Sequence, residues 1–201
     1  MGEIAPVPDD QVVALRGGER LGFGNRGFEV AYTPGHAWHH VSYFDGSTGI
    51  AFVGDTAGIR GPRLPVVLPV TPPPDFDLEA WLGSIDRILS WQPTRLGLTH
   101  FGLSSGPEEH LEALRSGLVA WAGYARQVME LAIPEQDQVR AFVEKLRTWL
   151  APLLGSNPEG TEGYLAGAGP EACWQGLARY WNKRRTEESL IPNVTAGPSG
   201  A

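Results

Sequence analysis

The chain has 201 residues, of which 42% are hydrophobic, enough for one ordinary soluble core, and this excludes a polypeptide disordered throughout. Net charge is −7 and the basic run Lys183-Arg184-Arg185 is answered at once by Glu187 and Glu188, so no nucleic-acid partner is expected. The single cysteine, Cys173, excludes an internal disulfide and a cysteine-built zinc finger, and leaves His and carboxylate as the side chains that would hold a metal.

Residues 1–10 carry Pro6 and Pro8, which suit neither helix nor central strand, and read as an extended lead-in. No charged segment followed by an apolar core opens the sequence, and no window approaches the ~20 apolar residues of a membrane span. A cytoplasmic chain without membrane contact is therefore expected. Short strand-like runs follow at 11–15, 20–23, 28–32, 41–44 and 50–53, separated by the glycine pairs and turns that mark hairpins. The run Ile50-Ala51-Phe52-Val53 is apolar throughout and reads as a strand buried on both faces.

Between Arg60 and Asp77 the chain is rich in proline and has no periodicity, which predicts a long loop beside the sheet. Asp77 then caps a predicted helix over 78–91, with Leu78, Trp81, Leu82, Ile85, Ile88 and Leu89 on one face and Pro93 ending it. A further strand at 95–99 delivers His100 at its C-terminal end. Strand, helix and strand in that order indicate a layered α/β or α+β fold. After Gly106 the pattern turns helical: amphipathic segments at 107–132 and 135–151, a glycine-rich linker over 155–169, and a third helix over about 170–186. The Pro/Gly/Ser-rich end reads as a disordered tail.

Three pieces carry chemistry. The first is Thr33-Pro34-Gly35-His36, within a stretch that holds His36, His39 and His40, three of the five histidines. Pro34 and Gly35 break regular structure so that the imidazole is presented from a loop top. The second is Asp55 in Phe52-Val53-Gly54-Asp55, and the third is His100 in Leu98-Thr99-His100. Each follows a predicted strand, so three strands of one sheet would bring two imidazoles and a carboxylate to one edge. That donor set suits zinc, and also manganese or iron. The plainer readings are a solvated loop histidine for His36, a helix or turn cap for Asp55 and a strand-end histidine for His100.

Thr-Pro-Gly-His, then Phe-Val-Gly-Asp, then a strand-borne Thr-His resembles the second half of a metallo-β-lactamase-fold metallohydrolase. The resemblance covers roughly residues 5–105. It implies an α+β fold, half of an αββα sandwich with a mostly antiparallel sheet and flanking helices, followed here by a C-terminal helical extension. It also implies metal ligation by His36, Asp55 and His100, with Asp55 as the bridging, catalytic carboxylate. His40 matches a supporting histidine of the first motif, while His39 and Trp38 are further candidates around the site, Trp38 as a pocket wall. The implied cofactor is zinc, one or two ions, with manganese or iron as substitutes. No histidine precedes His36, so the family's upstream His-x-His-x-Asp-His motif has no counterpart here. The chain thus resembles a member whose first half is missing, and a metal-free chain is the other outcome this allows.

Hydrolysis of an ester, thioester, lactone or similar bond by metal-activated water is the activity the resemblance implies, weak or absent in this chain alone. The alternative is a non-catalytic interaction or oligomerisation protein on an inherited half-fold. The expected partners are a small-molecule substrate and either a second copy or the missing half, because a lone half leaves one sheet face uncovered. The expected division is residues 1–106 as the half-fold, 107–186 as a helical extension packed on it, and 187–201 as tail. Arg60 and Arg63 are candidates to meet an anionic substrate group. His110 reads as a surface residue, Cys173 as packing, and Trp81, Trp121, Trp149, Trp174 and Trp181 as core or interface.

Overall fold

A computed structural model describes residues 5–60, 66–100, 102–155 and 158–190. Of the sequence expectations, the first part of the lead-in, Arg63 and residues 191–201 of the tail lie outside the described residues. Six strands form one sheet in the order β1 (Arg20–Phe23), β2 (Arg26–Tyr32), β3 (Val41–Asp45), β4 (Ile50–Gly54), β7 (Arg95–Leu98) and β8 (Gly102–Ser105). Neighbours are antiparallel except β4 and β7, which run parallel. The crossover between that parallel pair carries a small hairpin of β5 (Ile59–Arg60) and β6 (Val67–Leu68), then helix α1 (Leu78–Leu89).

The β3–β4 turn is closed by Asp45, whose Oδ1 accepts from Ser47 N at 2.9 Å and Ser47 Oγ at 2.6 Å. Helix α1 starts at Asp77, whose Oδ1 takes the Ala80 N–H at 2.8 Å. Its buried residues Trp81, Ser84, Ile85 and Ile88 recur at helical spacing, and each large apolar one contributes of order 1.5–3 kcal/mol by leaving water. Four more helices complete the chain: α2 (Pro107–Met129), α3 (Glu135–Leu153), α4 (Pro158–Ala168) and α5 (Pro170–Leu190). Helix α4 occupies the segment expected as a linker; its glycines do not prevent it, because Tyr164, Leu165 and Ala168 pack it against the core. Helix α5 runs to Leu190, past the boundary expected for the tail. Of residues 11–15, expected as a strand, Gln11 ends a 3-10 turn and 12–15 have no ladder partner.

One continuous core joins sheet and helices. Ala51, Val53 and Leu96 on one sheet face meet Trp81, Ile85, Leu114 and Trp121, and the last of these continues to Phe142, Leu146 and Trp174. Trp81, Trp121 and Trp174 are fully buried, as the helical stripes predicted. The opposite sheet face is not covered by the described residues. Leu21, Phe23, Phe28, Tyr43 and Phe52 line one apolar depression there, and Phe23 and Phe52 are 83% and 39% exposed. Among the described residues no helix is long and apolar enough to cross a membrane.

Candidate metal centre

Strands β2, β4 and β7 run in one direction, so the segments after Tyr32, Gly54 and Leu98 emerge at one edge of the sheet. The first of these segments is the Thr-Pro-Gly-His loop, closed by Thr33 N donating to His40 O at 3.0 Å. It lies directly on the start of α1: Ser84 Oγ donates to Pro34 O at 2.6 Å and Asp77 N to Gly35 O at 3.0 Å. Gly35 has φ 127°, and a Cβ on it would sit 2.3 Å from Trp81 Cβ, so only glycine lets the loop come this close. His36 then turns inward, its ring edge-on to Trp81 at 5.5 Å between centroids. Its Nδ1 lies 2.9 Å from Val70 O. A carbonyl only accepts, so Nδ1 carries the hydrogen and Nε2 presents its lone pair to the site.

Asp55 follows β4 through Gly54, which has φ 53° and lies under His40; a Cβ there would be 2.4 Å from His40 Nε2. The carboxylate opens a 3-10 turn, Asp55–Ala57, and stands between the two other residues singled out in the sequence. Asp55 Oδ2 is 3.8 Å from His36 Nε2 and Oδ1 is 3.4 Å from His100 Nε2. Oδ1 is buried and has no hydrogen-bond partner among the described residues. The site is more open towards His100, whose side chain is 49% exposed against 16% for His36.

Among the described residues no group of three or more His, Cys, Asp or Glu side chains closes around a single ion position. The chemistry of the three donors nonetheless fits a divalent ion. Two ligands sharing a tetrahedral ion at about 2.1 Å hold their donor atoms about 3.4 Å apart, close to both separations seen here. A carboxylate with one buried oxygen, Oδ1, without a donor and the other, Oδ2, facing the His36 lone pair that Val70 O orients from behind is an arrangement that a cation relieves.

The residues expected around the site separate. His40 joins the two segments beside Asp55: Thr56 Oγ1 donates to Thr33 O at 3.2 Å, so His40 Nδ1, 3.0 Å away, donates to that hydroxyl. Trp38 is 46% exposed, with its N–H on Asp75 Oδ2 at 3.3 Å and its carbonyl taken by Tyr32. His39 is exposed. Arg60 points its NH1 at Ser104 Oγ, 3.0 Å away, and so into the protein.

His110, expected at the surface, is 2% exposed. Its Nε2 meets Ala57 O at 2.9 Å and its Nδ1 meets Ser104 Oγ at 3.1 Å. The signal was present in the spacing, since position 110 precedes Leu114 and Leu118 on the apolar stripe of α2 by one and two turns.

Burial pushes the His110 and His40 imidazoles below the usual histidine value of 6.5, His40 further helped by the neighbouring His36. A folded-state value below the unfolded one means that the unfolded chain takes up protons first as pH falls. Stability is therefore expected to be complete above pH ~6.5 and to decline below it, by up to about 1.4 kcal/mol per pH unit for each histidine. Urea unfolding at pH 8, 7, 6 and 5.5 checks this, and His110→Gln should flatten part of the slope.

The model of the metallo-beta-lactamase superfamily matches residues 2–100 of this chain, the span that carries all three motifs. The chain belongs to the metallo-beta-lactamase superfamily. A metallo-beta-lactamase fold-containing protein of Sulfurisphaera tokodaii is 36% identical over 114 residues, 55% of this chain and 41% of that protein. A hydroxyacylglutathione hydrolase of Synechococcus sp. is 33% identical over 156 residues, 72% of this chain and 56% of that protein. Among solved structures, an archaeal metallo-beta-lactamase superfamily protein from Sulfolobus tokodaii superposes with a TM-score of 0.54 at 26% identity, over 88% of this chain and 56% of that one. A metallo-beta-lactamase family protein from Thermus thermophilus shares the fold, with a TM-score of 0.53 at 22% identity, over 69% and 48% of the two chains. This superfamily chain thus spans about half the length of the curated relatives it matches.

Proposed function

We propose that this chain carries part of a metal-dependent hydrolase site, with His36 Nε2, the Asp55 carboxylate and His100 Nε2 as the groups that hold the ion. The supporting observation is the Asp55 carboxylate set between the two imidazoles with one buried oxygen left without a donor. Zinc suits the donors best, with manganese or iron as substitutes. When bound, such an ion supplies a water of lowered pKa and polarises a carbonyl oxygen. The chain's own residues do the rest. The Val70 carbonyl keeps the His36 hydrogen on Nδ1 and turns Nε2 to the site, while Asp55 orients the attacking water and takes up its proton. Trp38 forms a wall on the approach. The substrate class we favour is an acyl bond, thioester first, because relatives from Thermosynechococcus vestitus and Synechococcus sp. carry the name hydroxyacylglutathione hydrolase.

Metal analysis of the purified protein, with His36→Ala and His100→Ala beside it, tests the reading. About one equivalent of zinc in the parent and less than a fifth of that in either variant is the expected result. No metal in the parent after incubation with zinc overturns it.

A second reading has its own support in the bare sheet face. Phe23, Phe28, Tyr43 and Phe52 line one contiguous apolar surface on a sheet face that the described residues leave open, the kind of surface that marks an interaction site. We propose that another apolar sheet covers it, supplied by a second copy or by the remainder of a superfamily fold. Light scattering of the purified chain is expected to give twice the mass of 21.7 kDa or larger, and Phe23→Lys with Phe52→Glu should return it to the monomer. A stable monomer with zinc and thioester turnover would set this second reading aside.

A further inference from the structure

Asp55 opens a turn too short to hold itself. The 3-10 segment Asp55–Ala57 has a single internal closure, Gly58 N donating to Asp55 O at 2.9 Å. Its other two carbonyls are taken up from outside by ring N–H groups. Trp81 Nε1 donates to Thr56 O at 2.7 Å, and His110 Nε2 donates to Ala57 O at 2.9 Å. The first donor comes from α1 and the second from α2, so the turn is gripped between two helices. Thr56 Oγ1 ties it also to Thr33 O, at the root of the His36 loop.

His110 reaches further than Trp81. A carbonyl accepts only, so Nε2 carries the hydrogen and Nδ1 bears the lone pair, which must receive the Ser104 hydroxyl hydrogen. Ser104 has one hydroxyl hydrogen and two acceptors in reach, His110 Nδ1 at 3.1 Å and Ser105 O at 3.3 Å; the shorter contact and the otherwise unmet Nδ1 lone pair direct it to His110, while the Ser104 oxygen accepts from Arg60 NH1 at 3.0 Å. The result is a one-way chain of donors, Arg60 to Ser104 to His110 to Ala57 O. Ser104 lies on β8, and the β7–β8 connection holds His100. One buried imidazole therefore links the turn of Asp55 to the hairpin of His100.

We propose that His110 is a positioning residue for the centre, fixing the Asp55 turn against the His100 hairpin; this rests on the function proposed above. A rigid ring on a long helix suits the task, since it has two torsions and both nitrogens are committed. Outer groups that orient metal-binding side chains typically change affinity or activity by about 10–100-fold when removed.

The experiment compares parent, His110→Phe, His110→Gln and Ser104→Ala. Phenylalanine fills the space without either hydrogen bond; glutamine keeps an N–H for Ala57 O and an oxygen for Ser104. Two quantities are read: zinc affinity by competition with a chelating dye, and amide exchange at Gly58, whose N–H closes the turn, against Leu146 in the core of α3. For His110→Phe we expect at least a ~10-fold faster exchange at Gly58 with Leu146 unchanged, and zinc binding weaker by about 10–100-fold. Glutamine should restore both to within a few-fold, and Ser104→Ala should fall between. The proposal is overturned if His110→Phe leaves Gly58 exchange at the parent value, or speeds Gly58 and Leu146 alike with glutamine no better. If the parent binds no zinc, the proposed function fails, while the Gly58 exchange still decides whether His110 holds the turn.

Discussion

Trp81→Ala is expected to lower stability by about 3–5 kcal/mol, the range for removing a large buried aromatic, out of a total of roughly 5–15 kcal/mol for a domain of ordinary stability. Trp81 is wholly buried and is touched from three sides. The backbone of Gly35 rests on its Cα and Cβ, its indole lies against His36 and, at 6.1 Å between centroids, against Phe76, and its N–H ends on Thr56 O. Alanine leaves a cavity beneath the His36 loop and beside the Asp55 turn at once. Trp81→Phe separates the two contributions. It keeps most of the apolar volume and loses the donor, so Thr56 O is left buried without a partner, at a cost of about 1–3 kcal/mol. Urea unfolding followed by circular dichroism reads both numbers. An alanine variant within about 1 kcal/mol of the parent would show that the loop and the turn do not depend on this side chain.

That one tryptophan supports both motifs explains what was legible in the sequence and what was not. The motifs themselves are local. Pro34-Gly35 and Gly54 mark where strands stop and a side chain is delivered, and the period of 3.6 in α1 could be counted directly; the all-apolar run 50–53, expected to be buried on both faces, instead alternates, with Ala51 and Val53 buried and Phe52 turned to the open face. The convergence of His36, Asp55 and His100 at one edge followed from strand direction and from the family resemblance. What could not be counted were the partners that fix these side chains. Val70, which orients His36, is 34 residues away in a proline-rich stretch with no periodicity. His110 reads as a surface histidine by its neighbours Glu108 and Glu109, whereas its burial is decided by the face that α2 turns inward. The glycines of 155–169 suggested a linker because local propensity is weak evidence where Tyr164, Leu165 and Ala168 can bury themselves against a core. Strands β5, β6 and β8 are short, and two of them have only two residues, too few for alternation to show.

Asp55→Asn is expected to separate stability from function. In the structure Asp55 Oδ1 is buried without a donor and Oδ2 faces the Nε2 lone pair of His36 at 3.8 Å, so the carboxylate is held where the fold gives it little in return. An amide of the same shape removes a partly desolvated charge, and its NH2 can donate to the His36 lone pair. The urea midpoint should therefore hold or rise, corresponding to a gain of about 0–2 kcal/mol. Turnover of a thioester should fall at least about 100-fold, beyond what removing an outer supporting group does, because the amide neither takes a proton from water nor balances a divalent ion. Zinc retained by the purified protein should fall with it. Such opposed movement is what a site selected for chemistry rather than packing predicts. Were Asp55 only a turn cap, asparagine would serve nearly as well and neither turnover nor zinc would change; if the carboxylate were holding the fold, stability would drop by more than about 1 kcal/mol. The pair of measurements, unfolding midpoint and zinc content on the same variant, thus distinguishes the three roles without knowledge of the natural substrate.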